Sequence, residues 1–286
     1  MISKDSIIWF NGEFLKFSDC TINLFTHALH YGTSVFEGCR IYNGNVFKMR
    51  EHNERLIKSG EIVDVPIPYS VQELNDATTQ LVKQNHLKGG YVRPFAWRGD
   101  ESLGIMSIDN KVNVAILMWA WGNYYGENKI QNGLRLYHSD YLRPDPRTMA
   151  TQAKVGGGYY IGSFVKNKAN RKGYDDVLML DWRGYVAECS GANVFFIKNN
   201  KLYTPIPDCF LNGITRQTVI EIAKELNIEC IETNIYPYEL NQFEECFITG
   251  TAAEIMPVSE IFDTYKYTNF SLTNKIRNFY FDLVNR

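Results

Sequence analysis

Hydrophobic and polar positions alternate in short blocks along the first part of the chain, and the period of the blocks changes. Ile7, Ile8, Trp9 and Phe10 form a short apolar run. Asn11-Gly12 directly after it is the pair most favoured in a two-residue hairpin turn, so a strand and a reversal are predicted there. Val46, Phe47, Lys48 and Met49 read as another strand, following the turn Tyr42-Asn43-Gly44-Asn45. Over residues 50–62 apolar side chains, Leu56, Ile57 and Ile62 among them, recur at helical spacing, and residues 71–87 form a second amphipathic helix. Residues 91–97 and 112–121 are rich in β-branched and aromatic side chains and read as buried strands of one sheet.

A polar stretch with Gly and Asn follows at residues 122–133 and reads as a connection. It divides the chain into a small N-terminal domain, 1–121, and a larger C-terminal domain, 134–286. In the second domain the pattern predicts strands at 134–137, 176–181, 194–197 and 246–249. It predicts helices at 159–172 and 215–227, the first with a basic last turn and Gly173 just past its end. The fold class is α+β with two domains, and the sequence carries no internal repeat.

Composition removes whole classes of function. The chain has 286 residues, 45% hydrophobic, a net charge of −2 and a pI near 6.2, so neither nucleic acid nor an anionic membrane is an expected partner. The apolar run at 112–121 is too short to span a bilayer, and the N-terminus lacks an apolar signal region. The six cysteines include no Cys-x-x-Cys and the five histidines are scattered. Free thiols in a reducing cytoplasm and no metal site are therefore expected. Aromatic content is 14%, and its many tyrosines suit a cleft as well as a core.

Lys154 is the lone charged side chain between Arg147 and Lys166, set among small residues, Gly156-Gly157-Gly158 and Tyr159-Tyr160. Apolar surroundings favour a neutral amine, which is a nucleophile toward aldehydes. A loop lysine with its stem on apolar neighbours is the plain alternative, and the glycine triplet alone reads equally as a flexible turn. Glu188, between an apolar strand end and Ser190-Gly191-Ala192, needs a cation or backbone amides as partner. A protonated pyridine nitrogen would serve. Leu211-Asn212-Gly213-Ile214-Thr215 leads into a helix whose free amides would hold phosphate, unless Thr215 is simply an N-cap. Thr249-Gly250-Thr251-Ala252 is expected to repeat that logic, as a strand, a turn and a short helix start. Arg40, Arg55 and Arg93 are cations in apolar contexts. Arg93 shares a strand face with Tyr91 by alternation, and reads as either a salt-bridge partner or a receptor for a substrate carboxylate.

Together these motifs resemble the class IV aminotransferases, the two-domain fold-type IV pyridoxal phosphate enzymes, and within them the branched-chain amino acid aminotransferases. The resemblance rests on the run from His27 to Arg40 with Phe36-Glu37-Gly38, and on Arg50-Glu51-His52 with Arg55. It continues through Tyr91-Val92-Arg93-Pro94, Lys154, Glu188, Gly213-Ile214-Thr215 and Gly250-Thr251-Ala252-Ala253-Glu254, covering nearly the whole chain. It implies that Lys154 is the catalytic residue, holding pyridoxal 5′-phosphate as a Schiff base and shuttling a proton. Glu188 would pair with the pyridine nitrogen and Tyr159 with the phenolic oxygen. Leu211 would pack on the ring, and Arg55, Ile214, Thr215 and Thr251 would bind the phosphate. The amides of Thr251 and Ala252 would meet the substrate α-carboxylate. Phe36, Tyr91, Trp121 and Tyr124 would line the side-chain pocket, and Arg93 would take the distal carboxylate of glutamate, with Tyr31 supplied by a partner subunit of a homodimer.

The implied reaction moves an amino group between branched-chain L-amino acids and 2-oxoglutarate. D-amino-acid transamination or aminodeoxychorismate lysis would keep Lys154 and Glu188 but should lack the Phe36-to-Arg40 and Tyr91-to-Pro94 motifs. A non-catalytic relative would have no use for the full set. Two departures lie beside the expected cofactor: Gly158 stands where many relatives have Asn, and Ser190-Gly191-Ala192 replaces a commoner loop.

Overall fold

The computed structural model describes residues 2–286, and their packing divides them into two compact units. The first comprises residues 2–122 with 153–158, the second 123–152 with 159–286.

The first unit contains strands β1 (Ile7–Phe10), β2 (Glu13–Lys16), β3 (Ser34–Phe36), β4 (Cys39–Tyr42), β5 (Asn45–Val46), β6 (Gly90–Arg98) and β7 (Val112–Trp119), with helices α1 (His27–Tyr31), α2 (Met49–Ile62) and α3 (Val71–Gln84). Its antiparallel sheet runs β2-β1-β7-β6-β4-β5, with β3 also on β6. Two-residue turns make two of its hairpins. Asn11 and Gly12 have φ of 49° and 96°, and Asn43 and Gly44 have 50° and 82°, the left-handed pair that a twisted hairpin needs. The strand expected at 46–49 shrinks to Asn45–Val46, because Lys48 turns left-handed and serves as the N-cap of α2. The α3 helix opens on a capping box in which Ser70 Oγ accepts from the Glu73 amide and the Glu73 carboxylate accepts from the Ser70 amide. It stops at Gln84, short of the predicted end. Asn85 is the C-cap and His86 takes the left-handed φ of 53°, while the Asn85 side chain accepts from the Ile7 amide at 3.0 Å and donates to the Ile7 carbonyl at 2.9 Å, tying the helix end to β1. Leu56 of α2 and Leu74 and Leu81 of α3 are fully buried in one core with Val35, Ile41, Val92 and Ile116. Each such side chain contributes about 1.5–3 kcal/mol by leaving water.

Residues 153–158 belong to this unit through an antiparallel bridge between Val35 and Val155 and a 3.0 Å bond from the Phe36 amide to the Lys154 carbonyl.

The second unit holds α4 (Asn128–Asn132), β8 (Leu134–His138), α5 (Tyr160–Arg171), β9 (Asp176–Leu180), β10 (Val186–Cys189), β11 (Asn193–Lys198), β12 (Lys201–Thr204), α6 (Ile214–Glu225), β13 (Cys230–Glu232), β14 (Glu245–Gly250), β15 (Glu254–Ile261), β16 (Tyr265–Lys266) and α7 (Ser271–Val284). Its sheet runs β10-β9-β8-β15-β14-β11-β12-β13, parallel at β9-β8, β8-β15 and β12-β13 and antiparallel elsewhere. Phe195 and Phe247 face each other across β11 and β14 with stacked rings 5.0 Å apart. The expected helix start after Gly250 is instead a hairpin: β14 turns directly into β15, Gly250 pairs with Glu254, and Glu254 takes the left-handed φ of 57°. The C-terminal segment, rich in Tyr and Phe, forms α7. The buried Glu245 carboxylate accepts from the amides of Leu272 and Thr273 at 2.9 and 2.8 Å and so fixes its N-terminus.

Candidate active site

In the first unit the residues gather around β3. Lys154 is half-buried, its amide bonded to Ser59 Oγ of α2 at 3.0 Å and its Nζ 4.9 Å from the centre of the Phe36 ring. The glycines after it serve chain packing. A side chain on Gly156 would stand 2.3 Å from Ser34 Oγ, and one on Gly32 would stand 2.8 Å from the Gly157 backbone. These contacts let the lysine segment lie flat against β3.

Phe36, Tyr91, Arg93 and Trp121 do come together. The Arg93 guanidinium lies 4.7 Å from the Phe36 ring and 5.5 Å from the Tyr91 ring, and Tyr91 meets Trp121 edge-on at 4.9 Å. A side chain on Gly38 would collide with the Tyr91 hydroxyl at 1.8 Å, which accounts for the glycine after Phe36-Glu37. Arg93 Nε is buried without a hydrogen-bond partner among the described residues. The result is an aromatic wall with one cation in it.

Arg55 is held from behind. Its Nε and Nη2 lie 2.6 and 3.0 Å from the two oxygens of the fully buried Glu37, and His52 Nδ1 is 2.7 Å from the same carboxylate. Burial would raise the pKa of Glu37. The charges and hydrogen bonds of Arg55 and His52 outweigh it and hold the carboxyl well below the usual range. Tyr31 stands apart on α1. Its ring stacks on His27 at 4.5 Å, its hydroxyl donates to the Leu103 carbonyl, and it is 48% exposed.

In the second unit Glu188 lies near the end of β10, next to an irregularity in its pairing with β9. Arg143 Nε lies 2.9 Å from Glu188 Oε1, while Arg143 Nη2 donates to the carbonyls of Cys189 and Ser190. Asn193 Nδ2 donates to Glu188 Oε2 at 3.3 Å and to the Leu211 carbonyl at 3.1 Å. The cation that burial of Glu188 requires is therefore present in the protein, which sequence reasoning missed. The helix α5 comes close as well: a side chain on Gly162 would stand 2.3 Å from the Ser190 carbonyl. Tyr159 ends a 3-10 turn just before α5 and lies against Gly191.

Leu211, Ile214 and Thr215 lie around the start of α6. Gly213, and not Thr215, is the N-cap, and no side chain caps the helix, so its first amides have no intrahelical acceptor. Arg216 holds the preceding turn by donating to Asn212 Oδ1 at 2.9 Å and the Pro205 carbonyl at 3.1 Å. Thr251 and Ala252 occupy the β14–β15 turn. Gly250 packs beside Gly191 and Ala192, and Thr249 Oγ1 is buried without a partner among the described residues. All six cysteines are free, and burial raises the thiols of Cys39, Cys189 and Cys246 well above their usual range.

The fold and these residues define a family before any substrate is considered. The family model for amino-transferase class IV matches residues 34–261, and the chain belongs to that family. It is 39% identical over 291 residues to the branched-chain-amino-acid aminotransferase of Pseudomonas aeruginosa, covering 99% of this chain and 94% of that one. Its structure matches that of the Escherichia coli branched-chain amino acid aminotransferase at a TM-score of 0.94 and 37% identity, over 98% of this chain and 95% of that one. A T.th. branched-chain amino acid aminotransferase with pyridoxamine 5′-phosphate matches at 0.95 and 37%, over 99% and 96%.

The donor chemistry fits a phosphorylated pyridine aldehyde: a half-buried amine, a buried carboxylate, an uncapped helix N-terminus and an arginine fixed by its own counter-ion.

Proposed function

We propose that this protein is a pyridoxal 5′-phosphate-dependent transaminase that exchanges the amino group of branched-chain L-amino acids with 2-oxoglutarate. The observation that carries the reading is the wall of Phe36, Tyr91 and Trp121 with Arg93 set into it. Leucine, isoleucine and valine need an apolar surface, whereas glutamate needs a cation for its distal carboxylate. An aromatic wall with a guanidinium lying on its rings offers both.

Bound pyridoxal phosphate would supply the electron sink that stabilises negative charge at the substrate α-carbon. The chain's residues do the rest. Lys154 Nζ would hold the cofactor and carry the proton to and from the α-carbon as general base and acid. Glu188, paired with Arg143 at 2.9 Å, would accept from the ring nitrogen. Tyr159 would donate to the phenolic oxygen, and Leu211 would pack on the ring. Arg55, the Ile214 and Thr215 amides at the start of α6, and Thr251 would hold the phosphate. The amides of Thr251 and Ala252 orient the α-carboxylate, and Tyr124 completes the side-chain pocket. In one stage an amino acid gives up its amine and leaves as its 2-oxo acid, and in the next a different 2-oxo acid takes up that amine and leaves as an amino acid.

The active form proposed is a homodimer in the cytoplasm, in which Tyr31 serves the site of a second copy. Leu24, Phe25, Leu29, Ile105, Met106 and Ile108 are exposed on α1 and its neighbouring loops, with Leu24 and Ile105 each 86% exposed. Beside them a cavity of about 310 Å³ is lined by Phe10, Ile22, Phe95, Trp97 and Leu117 among others. A monomer rarely leaves that much apolar surface in water. No helix among the described residues is long and apolar enough to cross a membrane.

Borohydride reduction of the cofactor-loaded protein followed by peptide mass mapping tests the assignment. The reading predicts the phosphopyridoxyl mass on the Lys154 peptide. A label on another lysine, or none, removes Lys154 from its role.

A further inference from the structure

We propose that Lys166 is a positioning residue for substrate selection, fixing Tyr124 where it meets the substrate side chain. This rests on the functional reading above, which places Tyr124 in the side-chain pocket.

The three hydrogens of the Lys166 ammonium match three acceptors. Asp176 Oδ2 lies 2.8 Å from Nζ, the Tyr125 hydroxyl 3.1 Å and the Tyr124 hydroxyl 3.2 Å. The same ammonium sits 4.5 Å from the centre of the Tyr124 ring and 4.6 Å from that of Tyr125. The Tyr125 hydroxyl in turn donates to Asp176 Oδ2 at 2.6 Å. Asp176 uses its other oxygen to accept from the amides of Val177 and Ser190, at 2.8 and 3.2 Å. One ion pair thus joins the connecting segment, α5 and the turn that follows Glu188.

Structural need alone is met by the buried members. Asp176 is buried and Tyr125 half-buried, and Lys166 neutralises the carboxylate between them. Tyr124 is 41% exposed, yet the same cation grips both its hydroxyl and its ring face. A surface tyrosine with no directional role has no requirement for such a hold. The connecting segment around it has only the short helix α4, and the Lys166 clamp, together with the edge-on contact to Tyr125 at 4.7 Å, orients Tyr124. Lys166 also lies seven residues past Tyr159, two turns along the same helical run. Displacement of α5 would therefore move the cofactor's phenolic partner and the specificity tyrosine together. Burial works against the Lys166 charge, but Asp176 and Tyr124 raise its pKa above the usual value, so the clamp is an ammonium at any working pH.

The test compares Lys166→Met, Lys166→Arg, Tyr124→Phe and the double variant Lys166→Met/Tyr124→Phe with the parent protein, all loaded with cofactor. In Lys166→Met, kcat/KM for L-leucine should fall about tenfold, mainly through KM, while L-glutamate, held by Arg93, changes less than about twofold. Chymotryptic cleavage after Tyr124, read on gels without turnover, should quicken about tenfold. Adding Lys166→Met to Tyr124→Phe should cost clearly less than Lys166→Met costs alone if lysine acts through tyrosine, since the hydroxyl grip is already gone and the ring grip remains. Should Lys166→Met fold poorly because Asp176 is left unpaired, Lys166→Arg keeps the charge and should still lose leucine preference, since a planar guanidinium cannot reproduce the three-way grip. Additive losses in the double variant, or equal losses for both substrates with unchanged cleavage, overturn the proposal. A parent protein that turns over leucine normally beside a Lys166→Arg variant of unchanged leucine-to-glutamate ratio overturns it alone. A parent inactive on leucine overturns the functional reading and this proposal with it.

Discussion

Glu37 decides where Arg55 points. Bidentate pairing at 2.6 and 3.0 Å leaves the guanidinium one orientation, and His52 completes the buried cluster. Glu37→Gln should therefore weaken cofactor binding and destabilise the protein by roughly 3–5 kcal/mol at neutral pH, read by chemical denaturation. The pH dependence follows from the depressed carboxyl. A carboxylate whose folded pKa lies below its unfolded value contributes its stability above the unfolded value, about 4.3, and loses it as pH falls toward the folded one. The gap between parent and variant should be widest above about pH 5 and narrow in acid. Lys154→Ala should fold normally and lose about 10²–10⁴-fold in turnover. Arg93→Met should harm L-glutamate about 10–100-fold more than L-leucine, which corresponds to one lost charged hydrogen-bond pair. Lys154, Glu188 and Arg93 are legible in the sequence because each is a charge in an apolar or small-residue setting. The supports of Glu188, Arg143 and Asn193, are not, since the fold brings them to it and no local pattern marks them. Glu37, in the Phe36-Glu37-Gly38 run, is visible there but carries no sign of its task.

Helices α2 and α6 follow their 3.6-residue pattern closely because one stripe of each is buried. Pattern and structure part where single residues turn left-handed. The α3 helix ends early at His86, φ 53°, with the Asn85 side chain tied to β1, and Lys48, φ 47°, ends the strand expected at 46–49 and becomes the N-cap of α2. The turn after Gly250 reads as a helix start because Gly-Thr serves both; the left-handed Glu254 that closes the hairpin is an unusual residue for that conformation. The amides offered by Thr251 and Ala252 thus come from a hairpin turn, and those of Ile214 and Thr215 from a true helix end. Close approach of α5 to the Ser190 turn gives a direct test. Gly162→Ala, placing a methyl 2.3 Å from a carbonyl oxygen, should destabilise the protein by about 1–3 kcal/mol and weaken cofactor retention, measured by thermal melting and visible absorbance. An unshifted melt would show that α5 can move away freely.

For the molecule as a whole, the residues proposed to act on the cofactor are divided between the units: Lys154, the aromatic wall and Arg55 belong to the first, and Glu188, the α6 N-terminus and the Thr251 turn to the second. The change in composition at 122–133 is visible in the sequence, and residues 123–133 belong to the second unit. What the sequence does not show is that Lys154, far along the chain, packs with the N-terminal strands. The apolar surface around Leu24 and Ile105 predicts self-association. The parent protein should sediment as a dimer, and Leu24→Asp with Ile105→Asp should shift it toward monomer with reduced transamination.

The central claim is that one pocket accepts both an aliphatic side chain and a distal carboxylate. Steady-state kinetics with paired donors and acceptors test it most directly. L-leucine, L-isoleucine and L-valine should each pass their amine to 2-oxoglutarate, L-glutamate should return it to the branched 2-oxo acids, and D-alanine should be inert. A protein that holds its cofactor on Lys154 yet uses D-alanine, or ignores both L-leucine and L-glutamate, would contradict the account.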